Sequence, residues 1–223
     1  MAKQRFYKTS YHGGVGSNVS FWGIKGNGYV TNIDLAEEYT LEQVKAVIAN
    51  NRLRSYNEHP ISADHVDDLA IWKVDCQHVN TIDNKNADPN EEYLILIKGK
   101  YDGNDLFFLS ANTSRTSSCN YEEAKVFNRE EAQVAMTDNE LWYSVIPKFE
   151  ADEAARRTFQ TKNINRRIMV SGAGATGIRK PRARKTTGKV MMNCPSCGKI
   201  NWQYDPHEFE DCSHCDYTER NHW

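Results

Sequence analysis

Cys194-Pro195-Ser196-Cys197 and Cys212-Ser213-His214-Cys215 place four cysteines in the last thirty residues, with fourteen residues between the two pairs. Each Cys-x-x-Cys turn can hold two thiolates on one side of a metal. Fourteen residues suffice for a hairpin that brings the turns together as a tetrahedral sulfur site. Zn(II), one per chain, is the expected ion on Cys194, Cys197, Cys212 and Cys215. Gly198 follows the first pair, where a residue without a Cβ permits a sharp turn; Asp216 stands after the second. His207, His214 and His222 lie nearby, but four thiolates already close the shell.

That spacing predicts a zinc ribbon over residues 191–223. A closed sulfur shell leaves no open coordination position, so the metal reads as structural. About thirty residues cannot bury a sufficient core, and metal binding would supply the folding free energy.

The rest of the 223-residue chain has room for one ordinary domain. No stretch approaches the roughly 18 apolar residues of a membrane span, and the expectation is a soluble, cytoplasmic protein, in a host cytoplasm if viral. Cys76 and Cys119 stand apart and read as reduced thiols. The net charge of -2 conceals a division: residues 1–150 hold 15 Lys/Arg against 22 Asp/Glu, and residues 151–223 hold 13 against 8. From Arg156 to Lys189 there are eleven cations (Arg156, Arg157, Lys162, Arg166, Arg167, Arg179, Lys180, Arg182, Arg184, Lys185, Lys189) and no acid. Such a block seeks polyanions.

Residues 1–150 read as an acidic α+β domain with an antiparallel sheet. Tyr93–Ile97 and Leu106–Leu109 flank a Gly103 turn as a hairpin; Val19–Ile24 and Gly28–Thr31 form an earlier one. Thr40 with Gln43, and Asn128 with Glu131, are helix-start signals. They belong to a repeat at an offset of 88, in which Ala36-x-x-Tyr39-Thr40-x-Glu42 lines up with Ala124-x-x-Phe127-Asn128-x-Glu130. The reading is a ββα unit used twice around one sheet. Leu141–Ile146 would close the domain. Residues 151–160 extend a helix, Arg166–Val170 form a strand, and 151–190 as a whole are a basic extension and tether, flexible from Ser171 onward.

The run from Phe21 to Thr40, FWGIKGNGYVTNIDLAEEYT, resembles a short module of small uncharacterised bacteriophage proteins. There too a tryptophan-bearing strand and a Gly-Tyr-x-Thr turn precede an Ala-x-x-Tyr-Thr helix start. The resemblance implies a phage or mobile-element origin and brings no catalytic residues.

Three other clusters invite chemistry. Gly172-Ala173-Gly174-Ala175-Thr176-Gly177 looks like a phosphate loop, but Arg179-Lys180-Pro181 offers no helix behind it, so the linker reading is preferred. Tyr11–Ser17 lacks the Lys-Ser/Thr ending of a P-loop and reads as a mobile loop. His59, Asp64, His65, Asp67 and Asp68 could serve a metal-dependent nuclease, although Ser62 as an N-cap explains them as a helix start. Asp75-Cys76-Gln77-His78 invites a Cys-His nucleophile reading, but a bystander thiol is preferred.

The leading expectation is therefore a non-enzymatic, phage-encoded zinc-ribbon protein that binds DNA, RNA or a nucleic-acid machine. Arg166, Arg167, Arg179, Lys180, Arg182, Arg184, Lys185, Lys189 and Lys199 would meet phosphate, and Trp202 would stack on a base. The alternative is an acidic interaction module that inhibits or redirects a host polymerase or defence factor.

Overall fold

The protein is described by a computed structural model over residues 4–50, 58–79, 91–137, 139, 141–178, 188–205 and 207–218. The chain divides into two compact units, Met1–Lys180 and Pro181–Trp223. Among the described residues, no helix is long and apolar enough to cross a membrane.

The first unit is α+β. Its first half runs β1 (Arg5–Val15), β2 (Asn18–Trp22), β3 (Tyr29–Val30), β4 (Glu38–Thr40), α1 (Leu41–Ala49), β5 (Pro60–Ser62), α2 (Ala63–Asp68) and β6 (Ile71–Val74). Its second half runs β7 (Tyr93–Asp102), β8 (Asp105–Leu109), β9 (Ser117–Ser118), β10 (Val126–Phe127), α3 (Arg129–Thr137), β11 (Tyr143–Pro147), α4 (Lys148–Ala154) and β12 (Ala155–Thr158). Each half makes its own five-stranded antiparallel sheet, in the orders β3-β2-β1-β4 and β9-β8-β7-β10, with β5 and β11 added to β1 and β7.

The correspondence extends to register. Thr9 opposes Phe21 and Val15 opposes Asn18, while Leu96 opposes Phe108 and Asp102 opposes Asp105, each position 87 residues on from its counterpart. Both hairpins break register at the same place. The repeat read from helix-start residues is thus longer than ββα, and it builds two sheets instead of one. The local cause is that each long first strand finds its partners within its own half.

The helix starts are as the sequence predicts. Thr40 Oγ1 accepts from the Gln43 amide and Gln43 Oε1 from the Thr40 amide. Asn128 and Glu131 exchange the equivalent pair of bonds. Each exchange satisfies two amides that a helix start leaves without intrahelical partners.

Several loop readings are corrected. Residues 11–15, read as a mobile loop, are the end of β1, and Gly16-Ser17 is its turn. Residues 155–158, read as helix, form β12. Residues 166–170, read as a strand, belong to a π-helical turn over Arg167–Gly172. Residues 171–178, read as tether, pack: Val170, Ala173 and Ala175 are buried in one core with Phe6, Phe21, Ile61 and Phe159. Small residues that look like a linker in isolation can instead approach another element closely. A Cβ on Gly174 would lie 3.5 Å from Leu41.

The two halves exchange their last strands. β6 and β12 pair with each other, so Val74 is buried in the second half's core and Phe159 in the first half's. Isolated bridges Asn18–Gln160 and Asp75–Asp105 extend the exchange.

Along this seam lies a network of buried charge. Lys73, fully buried, reaches Asp102 at 2.6 Å and Asp105 at 3.2 Å; Arg156 reaches Asp105 at 2.8 Å and Asp75 at 3.2 Å. Burial raises the pKa of Asp102, but the Lys73 ammonium and two bonds from Ser17 outweigh it and hold the carboxyl below its ordinary value.

The two hairpin turns meet at the same seam. Gly16 and Gly103 adopt φ of +60° and +66°, and a Cβ on Gly103 would stand 2.7 Å from the Gly16 amide nitrogen. Gly103→Ala therefore combines a left-handed penalty with a backbone clash, and is expected to cost about 2 kcal/mol or more in chemical denaturation. A cost near zero would show that the turns separate freely.

Candidate metal centre

Two strands, β13 (Val190–Asn193) and β14 (Ile200–Gln203), form the hairpin of the second unit. The first cysteine pair lies in the turn between them. Gly198, at φ +70°, closes that turn, and its amide donates to the Cys194 carbonyl at 2.9 Å. The second pair lies in a turn closed by the Cys212 amide on the Tyr217 carbonyl at 3.0 Å. Phe209, buried, packs edge-on against Tyr217 with ring centroids 5.8 Å apart.

The four sulfurs of Cys194, Cys197, Cys212 and Cys215 all lie within 4.8 Å of one another and are positioned to hold a metal ion. Cys194 and Cys215 sulfurs are 3.8 Å apart, and those of Cys197 and Cys212 are 3.6 Å apart. A tetrahedron with metal–sulfur distances near 2.3 Å has edges of about 3.8 Å. The donor set and its spacing therefore fit a closed four-thiolate shell. Among the described residues this is the only such group of His, Cys, Asp or Glu. His207 and His214 do not join it, and His222 lies outside the described residues.

Donors surround the sulfurs. The Ser196 and Cys197 amides reach Cys194 Sγ at 3.4 and 3.5 Å, and the His214 amide and Asn201 Nδ2 reach Cys212 Sγ at 3.3 and 3.4 Å. Such bonds stabilise thiolate over thiol and orient it. For Cys212, desolvation raises the pKa, but the His214 amide and the neighbouring thiols together outweigh it and pull it down to about 6. For Cys215 the Tyr217 amide lowers the pKa, but desolvation and the same neighbours push it up to about 12. Four adjacent thiols thus give up a first proton readily and later ones with difficulty, unless a cation enters among them.

Asn201 was not singled out by the sequence. It is buried, donates to Cys212 Sγ and the Lys199 carbonyl, and accepts from the amide and hydroxyl of Ser213. It joins the hairpin to the second cysteine turn. Gln203 does the same through the Asp211 carbonyl at 2.8 Å. The period-two alternation of β14 was the available signal: Asn201 and Gln203 face in, and Trp202 faces out.

The other predicted site residues separate into distinct places. Arg179, Lys180, Arg182, Arg184 and Lys185 lie outside the described residues. Lys189, Lys199 and Trp202 are exposed on the second unit, Arg167 is exposed on the first, and Arg166 is half-buried there. Arg156 and Arg157, counted from sequence in the acid-free block, are not available to a polyanion. Arg156 is buried against Asp75 and Asp105, and Arg157 pairs with Asp34 at 2.9 Å and Asp67 at 3.0 Å. Their acids come from distant parts of the chain.

The His59–Asp68 cluster does not converge. Asp64 and Asp67 pair with Arg5, His65 Nδ1 meets Ser62 Oγ at 3.0 Å, and His59 is buried. Ser62 does occupy the N-cap of α2, but its side chain makes no capping bond. Asp75-Cys76-Gln77-His78 is a 3-10 turn capped by Asp75 and not a strand. Burial pushes the Cys76 and Cys119 thiols up, which keeps them protonated near neutral pH.

Comparison with family models, curated proteins and solved structures finds no match for this chain, so the functional reading rests on its own residues.

Proposed function

We propose that the protein is a zinc-ribbon, nucleic-acid-associated protein, in which Zn(II) folds the second unit and that unit presents an aromatic strand face to unpaired bases. Zinc is the ion of choice because it accepts four thiolates without geometric preference of its own. When bound, it supplies folding free energy and no open position for chemistry.

The observation that carries the reading is the outer face of β13 and β14. Met191 opposes Trp202 across the ladder, and Met191, Ile200, Trp202 and Tyr204 are all more than half exposed. Lys189 Nζ sits 4.7 Å from the Tyr204 ring centroid. Packing over the metal site, the competing role for Trp202, falls to Asn201 and Gln203 on the inner face. An exposed apolar face with two aromatics and a cation suits base stacking beside phosphate. The acids Asp205, Glu208, Glu210 and Asp211 are exposed on this unit. Phosphate contact is therefore assigned chiefly to the cation-rich run Arg179–Lys189 in the sequence.

Binding of a labelled single strand, followed by fluorescence anisotropy, is expected to weaken steeply with salt. Trp202→Ala should cost about 1–3 kcal/mol in affinity. If Trp202→Ala and joint charge reversal of Arg179, Lys180, Arg182, Arg184 and Lys185 both left binding unchanged, the reading would fail. Recovery of one host protein after nuclease treatment, without bound nucleic acid, would favour the acidic interaction module instead.

A further inference from the structure

The four cysteines of the second unit are not equivalent. We propose that Cys197 is the reactive thiolate of the metal centre, that the substrate class it takes is a small hydroperoxide, and that its oxidation closes a Cys197–Cys212 disulfide across the two turns. This rests on the four-thiolate zinc reading and adds to it a chemical role for one ligand.

Hydrogen-bond donors are the first argument. Cys194 Sγ accepts from the Ser196 and Cys197 amides. Cys212 Sγ accepts from the His214 amide and Asn201 Nδ2, and Cys215 from the Tyr217 amide. Among the described residues no N–H reaches Cys197 Sγ; its neighbours are the other sulfurs, with Cys212 Sγ at 3.6 Å. A metal bound among the four holds all of them as thiolates, so protonation does not rank them. Electron density on sulfur does. A donated N–H stabilises a thiolate and lowers its nucleophilicity, and Cys197 alone is spared that loss.

Access is the second argument. Cys197 is exposed, Cys194 is buried, and Cys212 and Cys215 are half-buried. The flank of the first turn is open as well: a Cβ on Gly198 would meet nothing within 4 Å. Oxidation follows thiolate character and exposure, and both select the same residue.

A resolving partner is the third. Cys212 stands on the other turn, and its sulfur needs to close from 3.6 Å to about 2.05 Å to make a disulfide. In the first step a lone pair of Cys197 Sγ attacks one peroxide oxygen and the O–O bond breaks. Hydroxide leaves, so that the thiolate is oxidised to a sulfenic acid and the peroxide is reduced. In the second step the Cys212 thiolate attacks the sulfenic sulfur, the S–S bond forms, the S–O bond breaks and a second hydroxide leaves. Cys194 and Cys215 are then the only ligands left, and two thiolates do not retain the ion.

The test uses the full-length wild-type chain, with zinc content measured before oxidant is added. Limiting hydrogen peroxide is then supplied with and without dimedone, which traps sulfenic acids. Released zinc is followed with a chromogenic chelator, and the modified cysteines are located by peptide mass spectrometry. Dimedone should label Cys197 first. Without it, the Cys197–Cys212 disulfide should appear with one zinc released per disulfide. Cys76 and Cys119 serve as internal controls, since a thiol that is at most a few per cent thiolate near neutral pH should react at least about tenfold more slowly. First labelling at Cys194, Cys212 or Cys215, equal labelling of all four, or oxidation of Cys76 or Cys119 ahead of Cys197 overturns the proposal and leaves the ribbon standing. A chain that holds no zinc before oxidant is added overturns both.

Discussion

Cys194→Ser is expected to abolish stoichiometric zinc binding and unfold the second unit while leaving the first folded. Cys194 is the one buried ligand of the four, and its sulfur accepts from two amides of its own turn as well as facing Cys215. Beyond the metal, the apolar core among the described residues of the unit is essentially the Phe209–Tyr217 pair, which is too little to hold a hairpin. Structural zinc sites contribute apparent binding free energies of roughly 10–16 kcal/mol, far more than this small core can replace. Metal content by mass spectrometry and the NMR dispersion of residues 188–218 measure the two effects. The loss should be reproduced by a strong chelator. If the variant bound one zinc and kept its dispersed spectrum, the four-thiolate assignment would be wrong.

The second large effect belongs to the seam of the first unit. Asp105 is fully buried, accepts from Asn18 Nδ2, and forms ion pairs with Arg156 at 2.8 Å and the Lys73 ammonium at 3.2 Å. Asp105→Ala would leave Asp102 as the one carboxylate on Lys73 and Asp75 as the one carboxylate on Arg156, two buried cations facing a void. Breaking such a network from one side costs about 3–5 kcal/mol, because the desolvation of the remaining charges is no longer compensated. Lys73→Met should cost less, since Asp105 would keep Arg156 and Asn18, and a methionine roughly matches the volume of the lysine stem. The order of the two, measured by chemical denaturation, is the discriminating result. An Asp105→Ala cost below that of Lys73→Met would show that the carboxylate is not the centre of the network.

These two sites differ in how far the sequence reveals them. The metal ligands are spaced by two residues within each pair, so their geometry is local. The same holds for the capping exchanges of Thr40 with Gln43 and Asn128 with Glu131, and for the hairpin around Gly103. Nothing in the sequence places Lys73 beside Asp102 and Asp105, or Arg156 beside Asp75, because those contacts arise only when two halves trade strands. The acid-free run from Arg156 to Lys189 is a fact of the sequence, but freedom from neighbours in sequence is not freedom from partners in space. Arg157 pairs with Asp34 across 123 residues.

The repeat shows the same limit. Identities at helix starts betray it because a cap needs particular side chains at particular spacings. The equivalence of sheet order and register is carried by backbone hydrogen bonds, which many sequences can make, and so leaves little trace in residue identity. The packing of Ser171–Gly177 is hidden in the sequence for a related reason: small residues suit a linker and a close approach equally, and only the neighbouring element decides between them. The sequence by itself determined the four-cysteine centre, the caps and the hairpins, because their partners lie within a few residues or in a metal-ligand pattern. The tertiary structure alone decided the two-sheet architecture, the charged seam, the loss of Arg156 and Arg157 from the basic arm and the packed glycine loop, because each depends on which distant side chains share a low-dielectric interior.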